Sequence, residues 1–191
     1  LYQESIQLAA IPSDSSTISL VTAPYFDSFV ERTREGQYDI IITAPHLGRL
    51  AETRDGYKRL AQTRHVVQGI FLTRKDSDIH RIEDLRGKNL MVAQKVSIIY
   101  QMTEHTLREK GLVPGESVKI IETRTHNNAM HAPLRGEADA SVTGTLLWRV
   151  LGEEQKDQMR VIGTTEEAPG FMLMANPRLS SQDIARIKNL L

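Results

Sequence analysis

The sequence predicts an α/β protein built as two lobes of like construction that face each other across a cleft. Three observations carry this. Apolar periodicity switches repeatedly between about 2 and about 3.6 residues, the mark of strands alternating with helices. The apolar runs, such as Ile40-Ile41-Ile42, have the length of strands and not of bilayer spans. Finally, Gly36-Gln-Tyr-Asp39-Ile-Ile-Ile-Thr43 is echoed by Gly136-Glu-Ala-Asp139-Ala-Ser-Val-Thr143 with the same offsets. A helix-ending Gly and a turn-forming Asp can occur once in any α/β protein; their repetition points to two lobes. Open α/β sheets bind ligands beyond the carboxyl ends of their strands, where Thr43 and Thr143 fall.

The elements follow in order. Residues 17–23 are rich in β-branched side chains and read as a strand. Residues 24–35 read as a helix, with Pro24 in its first turn and Gly36 as its stop. Residues 38–43 read as a strand apolar enough to be buried on both faces. A short helix over 45–53 and a strand over 66–73 come next. After a charged stretch, 74–88, residues 89–93 form a strand, and Ser97 opens a helix that runs to Lys110 and is closed by Gly111. Strands are expected over 118–122 and 138–142, and helices over 127–135 and 145–151. Strands over 160–163 and 171–175 precede a last helix capped by Ser180. Helices of this length between strands imply parallel pairing. Lobe one is expected to hold residues 1–72 and 171–191 and lobe two residues 73–170. Two segments, near 66–73 and 170–175, would cross between them.

Composition narrows the function. Lys plus Arg number 24 and Asp plus Glu number 24, so the chain lacks the basic excess of a nucleic-acid binder. The absence of cysteine removes thiol catalysis, disulfides and thiolate metal sites. No H-E-x-x-H, G-x-S-x-G or Walker-type loop occurs; no metal, cofactor or nucleophile is expected. The chain opens on Leu-Tyr-Gln-Glu without Met and stops inside an apparent helix, 182–191, so it reads as a processed or trimmed segment.

The candidate residues gather at helix starts. Ala93-Gln-Lys95-Val-Ser97-Ile-Ile-Tyr100 lies between a strand and a long helix, where free N–H groups and the helix dipole favour an anion. Ser97 can donate its hydroxyl there and Lys95 adds charge; Ser97 also reads simply as an N-cap, which the spacing alone favours. His126 and Asn127 hold the matching place before the next helix. Tyr25 and Phe26 open the corresponding helix of the first lobe, either as donor and neighbour or as ordinary packing. His46 follows the Thr43-Ala-Pro turn and could face the cleft.

In order over nearly the whole chain, these segments resemble the phosphate/phosphonate-binding proteins of ABC importers. The matching features are Gly36-Gln-Tyr-Asp39-Ile, Phe71-Leu-Thr-Arg, Asp84-Leu-Arg-Gly87-Lys, the Ser97 helix start, Thr125-His126-Asn127-Asn128-Ala129, Gly136-Glu-Ala-Asp139-Ala and Pro169-Gly-Phe. The resemblance implies the type II periplasmic binding protein fold without its first strand and helix, residues 1–10 being the remnant of that helix. It implies an extracytoplasmic solute-binding protein, periplasmic or lipid-anchored, monomeric, with an ABC permease as partner and no catalysis. The phosphonyl or phosphoryl group would sit at the Ser97 helix start, with His126 and Tyr25 as further donors. Thr43, His46, Tyr100, Asn127, Thr143 and Thr145 complete the expected ligand-binding set.

Two departures shape the ligand. Val96 and Ile98 flank Ser97 where the family shows a Ser/Thr cluster. Thr143-Gly144-Thr145 stands where binders of aminophosphonates place a carboxylate, so an ammonium-bearing ligand is disfavoured. The alternative reading is a sensory domain of the same fold. An enzyme would want a catalytic cluster, and only isolated His46 and His126 are on offer. An oxyanion beside His126 is expected to raise its pKa and so to bind more tightly in mildly acidic solution.

Overall fold

The computed structural model describes residues 19–23, 25–189 and 191. Two sheets organise them. Strands β1 (Ile40–Thr43), β2 (Lys58–Gln62) and β8 (Met172–Ala175) form a sheet of order β1-β8-β2. Strands β3 (Val67–Arg74), β4 (Asn89–Ala93), β5 (Lys119–Thr123), β6 (Ala140–Gly144) and β7 (Met159–Ala168) form a second, of order β5-β4-β6-β3-β7. Helices α1 (Phe26–Arg34), α2 (Pro45–Arg54) and α7 (Ser181–Lys188) accompany the smaller sheet. Helices α3 (Ile98–Glu109), α4 (His126–His131), α5 (Thr145–Val150) and α6 (Glu153–Lys156) accompany the larger one.

The two Gly-x-x-Asp repeats therefore feed different sheets. Gly36 (φ 69°) and Gly136 (φ 71°) both occupy the left-handed region that side chains resist. The aspartates then anchor the strands that follow. The Asp139 carboxylate accepts the Asn89 N–H at 2.7 Å, tying β6 to β4, and Asp39 pairs with Arg178 at 2.8 Å, tying β1 to the exit of β8.

The larger sheet is covered on both faces. Phe71 and Leu72, neighbours on β3 and both 0% exposed, point to opposite sides as a strand requires. Phe71 packs in the cluster that holds Ile99 and Leu107 of α3. Leu72 packs with Met130 of α4, Trp148 of α5 and Leu151. Along its length β3 pairs with β6 and β7, so the outgoing passage between sheets lies before Val67.

Pairing is mixed, not parallel throughout. β4 runs parallel to β5 and β6, the pairs linked through α3 and α4. β3 runs antiparallel to β6 and β7, and β8 antiparallel to β1 and β2. Helical crossovers enforce parallel strands; β1 and β2, joined by α2, and β6 and β7, joined by α5 and α6, share a direction, while β3 and β8, each beside a passage between the sheets, run against both of their neighbours. β1 also departs from expectation. Ile41 and Thr43 are buried, while Ile40 and Ile42 are 36% and 37% exposed, because its helices cover one face among the described residues. β2 carries no period-two pattern in Lys-Arg-Leu-Ala-Gln and was not expected; it is held as an edge by β8, with a bulge between Arg59 and Ala61. Residues 19–23 form no strand despite their β-branched character. Residues 17 and 18, Pro24 and the helix remnant expected in 1–10 lie outside the described residues.

The crossing segments pass very close. A Cβ on Gly170 would meet the carbonyl oxygens of Thr63 and His65 at 2.3 Å, so only glycine fits where the returning chain crosses the outgoing one. The Thr63 N–H donates to the Phe171 carbonyl at 2.8 Å beside it. No helix among the described residues is long and apolar enough to cross a membrane.

Candidate functional site

The turn between β4 and α3 carries the site. Its Ser97 is the N-cap of α3, 2% exposed, and its hydroxyl oxygen accepts the Ile99 N–H at 3.2 Å. The same oxygen lies 3.2 Å from Nε2 of His126, the first residue of α4. The starts of α3 and α4 thus meet through one hydrogen bond, because β4, β5 and β6 are parallel neighbours whose helices begin at one end of the sheet. Thr143, fully buried near the end of β6, donates its hydroxyl to the His126 carbonyl at 3.1 Å and holds α4 in register.

The Ser97–His126 pair has a useful proton count. Nδ1 of His126 is buried and has no partner. If Ser97 donates to Nε2, the ring carries its proton on Nδ1, and that N–H is unspent. If Nε2 donates to Ser97, the serine hydroxyl proton is unspent. Either tautomer leaves one donor free beside a helix N-terminus. Such unpaired buried groups are costly unless something fills them. Gln94, in the same turn, leaves its side-chain oxygen unpaired as well.

Burial pushes the His126 pKa down to about 4. The ring is therefore neutral at ordinary pH in the unliganded protein. Removal from water disfavours the charged form when no counter-charge is present.

The smaller sheet's helices reach across. Phe26, at the start of α1, sets its ring edge-on to His126 with centroids 6.4 Å apart. His46, in the first turn of α2, lies 2.8 Å from the Val96 carbonyl through Nε2. A carbonyl only accepts, so Nε2 carries the proton, and Nδ1 is a bare acceptor, buried without a partner. Burial lowers the His46 pKa, outweighing its hydrogen bond to Val96.

The remaining expected residues divide. Thr43 ends β1 and is buried, and Thr145 opens α5 half-buried. Tyr25 is 46% exposed at the N-cap of α1, where its backbone N–H and carbonyl are both bonded to the Ser28 hydroxyl. Asn127 is exposed, and its carbonyl accepts from the His131 ring. Tyr100 is not brought to the pair. It lies in the core cluster of the larger sheet, and burial, with Glu104 nearby, raises its pKa. It is the third residue of α3 and is 7% exposed. Lys95 is exposed, and its N–H is held by Glu122 at 2.9 Å. Val96, Gln94 and Glu122 were missed; an apolar residue whose carbonyl matters leaves no signal in a sequence.

Among the described residues one group has metal-ligand types close together, His105, Glu109 and Glu166, all exposed, toward the end of α3 away from Ser97. A polar depression of about 370 Å³ lies at the opposite end of the larger sheet, beside Asn89 and Asp139.

Comparisons with known proteins agree with this architecture. The family described as "ABC transporter, phosphonate, periplasmic substrate-binding protein" matches residues 15–191. No curated protein matches the sequence. Among solved structures, PhnD1 from Prochlorococcus marinus in complex with methylphosphonate superposes with a TM-score of 0.76 at 14% identity, over 89% of this chain and 70% of that one. XAC2383 from Xanthomonas citri, bound to chloride, gives 0.73 at 19% identity over 90% and 68%. The periplasmic aliphatic sulphonate binding protein SsuA from Escherichia coli gives 0.65 at 20% identity over 92% and 60%. At such identities the likeness establishes the fold, the two-lobed type II periplasmic binding architecture.

Proposed function

Because the chain belongs to the phosphonate-binding family of periplasmic substrate-binding proteins of ABC transporters, we propose that it captures a small oxyanion of the phosphonate, phosphite or phosphate class between its lobes and passes it unchanged to a membrane permease. The observation that carries this reading is the Ser97–His126 pair, which leaves one unspent donor at the start of α3. The helix N-terminus adds N–H groups and a favourable dipole for negative charge. Lobe one comprises the sheet β1-β8-β2 with α1, α2 and α7; lobe two is the five-stranded sheet with α3 to α6.

Each ligand-facing role follows from position. Ser97 and His126 bind the anionic head, and Thr143 positions His126 through its carbonyl. Phe26 closes the pair from lobe one and gives an apolar contact for a substituent on phosphorus. Thr43, Thr145, Tyr25 and Asn127 flank the helix starts. Gly144, with no side chain between Thr143 and Thr145, offers nothing to an ammonium group, which favours ligands without one. The protein acts outside the cytoplasmic membrane, as a monomer, and turns nothing over.

A thermal-shift screen against phosphate, phosphite, methylphosphonate, 2-aminoethylphosphonate and methanesulphonate tests this. A ligand at about a hundred times its Kd adds about 2.7 kcal/mol of stability, which for a chain of this size raises Tm by roughly 5–10 °C. Methylphosphonate or phosphite is expected to give such a shift and the aminophosphonate a smaller one. A panel in which no oxyanion moves the transition contradicts the reading.

A further inference from the structure

We propose that His46 is a latch between the lobes, which holds the closed form through the Val96 carbonyl and tunes affinity without touching the ligand. The inference rests on the binding reading above but concerns a different residue and a different step.

The hydrogen bond joins two sheets. His46 sits in the first turn of α2, directly after β1 of the smaller sheet, while Val96 sits in the β4–α3 turn of the larger one. Their contact at 2.8 Å spans fifty positions of sequence and is a polar bridge between the lobes. The Val96 carbonyl fixes the tautomer, so the only proton on the ring is spent on the protein. Nδ1 presents a lone pair, which repels an oxyanion. His46 is thereby excluded as an anion donor, the role expected of it from its place after the Thr43-Ala-Pro turn.

The acceptor's position gives the latch its effect. Val96 immediately precedes Ser97, and the Ser97 N–H is itself bonded to the Gln94 carbonyl at 2.8 Å, so residues 94–97 form one tight turn. Holding Val96 holds the Ser97 hydroxyl. Lobe one therefore grips both halves of the anion-binding pair, His46 through the residue before Ser97 and Phe26 through the His126 ring. Opening the lobes breaks both contacts. A bond made only in the closed form raises the closed fraction, and the apparent affinity rises by the same factor for every ligand.

A net hydrogen bond of ordinary strength corresponds to a change of about fivefold. The chain has no cysteine, so Arg149→Cys in lobe two and Arg186→Cys in lobe one accept a pair of spin labels without background. Distance distributions are recorded without ligand for the labelled protein, for His46→Leu, which fills the volume without a donor, and for His46→Gln, which keeps an N–H. His46→Leu is expected to shift weight to longer distances, and His46→Gln to restore part of the short population. Affinities of His46→Leu for methylphosphonate, phosphate and methanesulphonate are expected to fall by one common factor of about fivefold. Unchanged distances in His46→Leu overturn the latch, and so does a loss confined to one ligand, which would make His46 a ligand contact. The ligand-free distances decide the latch even if none of the three anions binds, an outcome that would count against the oxyanion reading alone.

Discussion

Replacing Ser97 by alanine is expected to weaken oxyanion binding by about tenfold to a hundredfold, the range for a lost hydrogen bond to a charged group. The hydroxyl bonds the Ile99 N–H and the His126 ring, and in the proposed reading it also serves the ligand. Its loss removes one donor from the anion and leaves His126 Nε2 without a partner in a buried place. The helix loses its cap as well, at about 1 kcal/mol of stability. Two controls separate the effects. Ser97→Gly keeps most of the capping and loses the hydroxyl, so it should bind as poorly as Ser97→Ala while unfolding nearer the wild type. Ser97→Thr keeps the hydroxyl and should retain much of the affinity. Calorimetric titration with methylphosphonate reads binding, and thermal unfolding reads the cap. Affinities unchanged in both Ser97→Ala and Ser97→Gly would reduce Ser97 to a cap.

The second large effect is a loss of stability in mild acid that runs through His126. Its folded pKa is depressed to about 4 from 6.5. Above the unfolded value both states are neutral and His126 contributes no pH dependence. As pH falls below about 6.5 the unfolded chain takes up a proton that the folded chain refuses until about pH 4. Stability therefore declines across that window, by about 3 kcal/mol in all. His46, also depressed by burial, adds a decline of the same sign. In His126→Gln the decline should shrink to what the other groups supply, as measured by urea unfolding at a series of pH values. A saturating oxyanion should also shrink it, because a negative neighbour favours the imidazolium; ligand binding in mild acid would then take up a proton. A wild-type curve no steeper than that of His126→Gln would show that the ring is not held neutral by burial.

Much of the fold was legible because the signals are local. Gly36 and Gly136 announced the two left-handed stops, and Asp39 and Asp139 announced the strand anchors that follow. The cap at Ser97 and the glycine after α3 bounded that helix closely. What stayed hidden depends on partners far along the chain. The antiparallel pairing of β3 with β6 and β7 cannot be read from any one segment. β2 exists because β8 offers it an edge, and its own residues lack the strand pattern. The site divides the same way. Ser97 and His126 were visible as residues at helix starts, but their mutual bond follows from parallel β4, β5 and β6. Tyr100, close to Ser97 in sequence, turned inward because the apolar face of α3 includes it. His46 looked like a donor to the cleft; its proton goes instead to a backbone carbonyl fifty residues away, which no side-chain pattern reports.

In the proposed reading an oxyanion is bound by the Ser97–His126 pair in the closed cleft. A crystal structure of the protein with methylphosphonate tests it most directly. A phosphonyl oxygen is expected within hydrogen-bonding reach, about 2.6–3.0 Å, of Ser97 Oγ or His126 Nδ1, with the methyl group toward Phe26. A methylphosphonate seated elsewhere, with Ser97 and His126 still bonded only to each other and Nδ1 still unpaired, would contradict it.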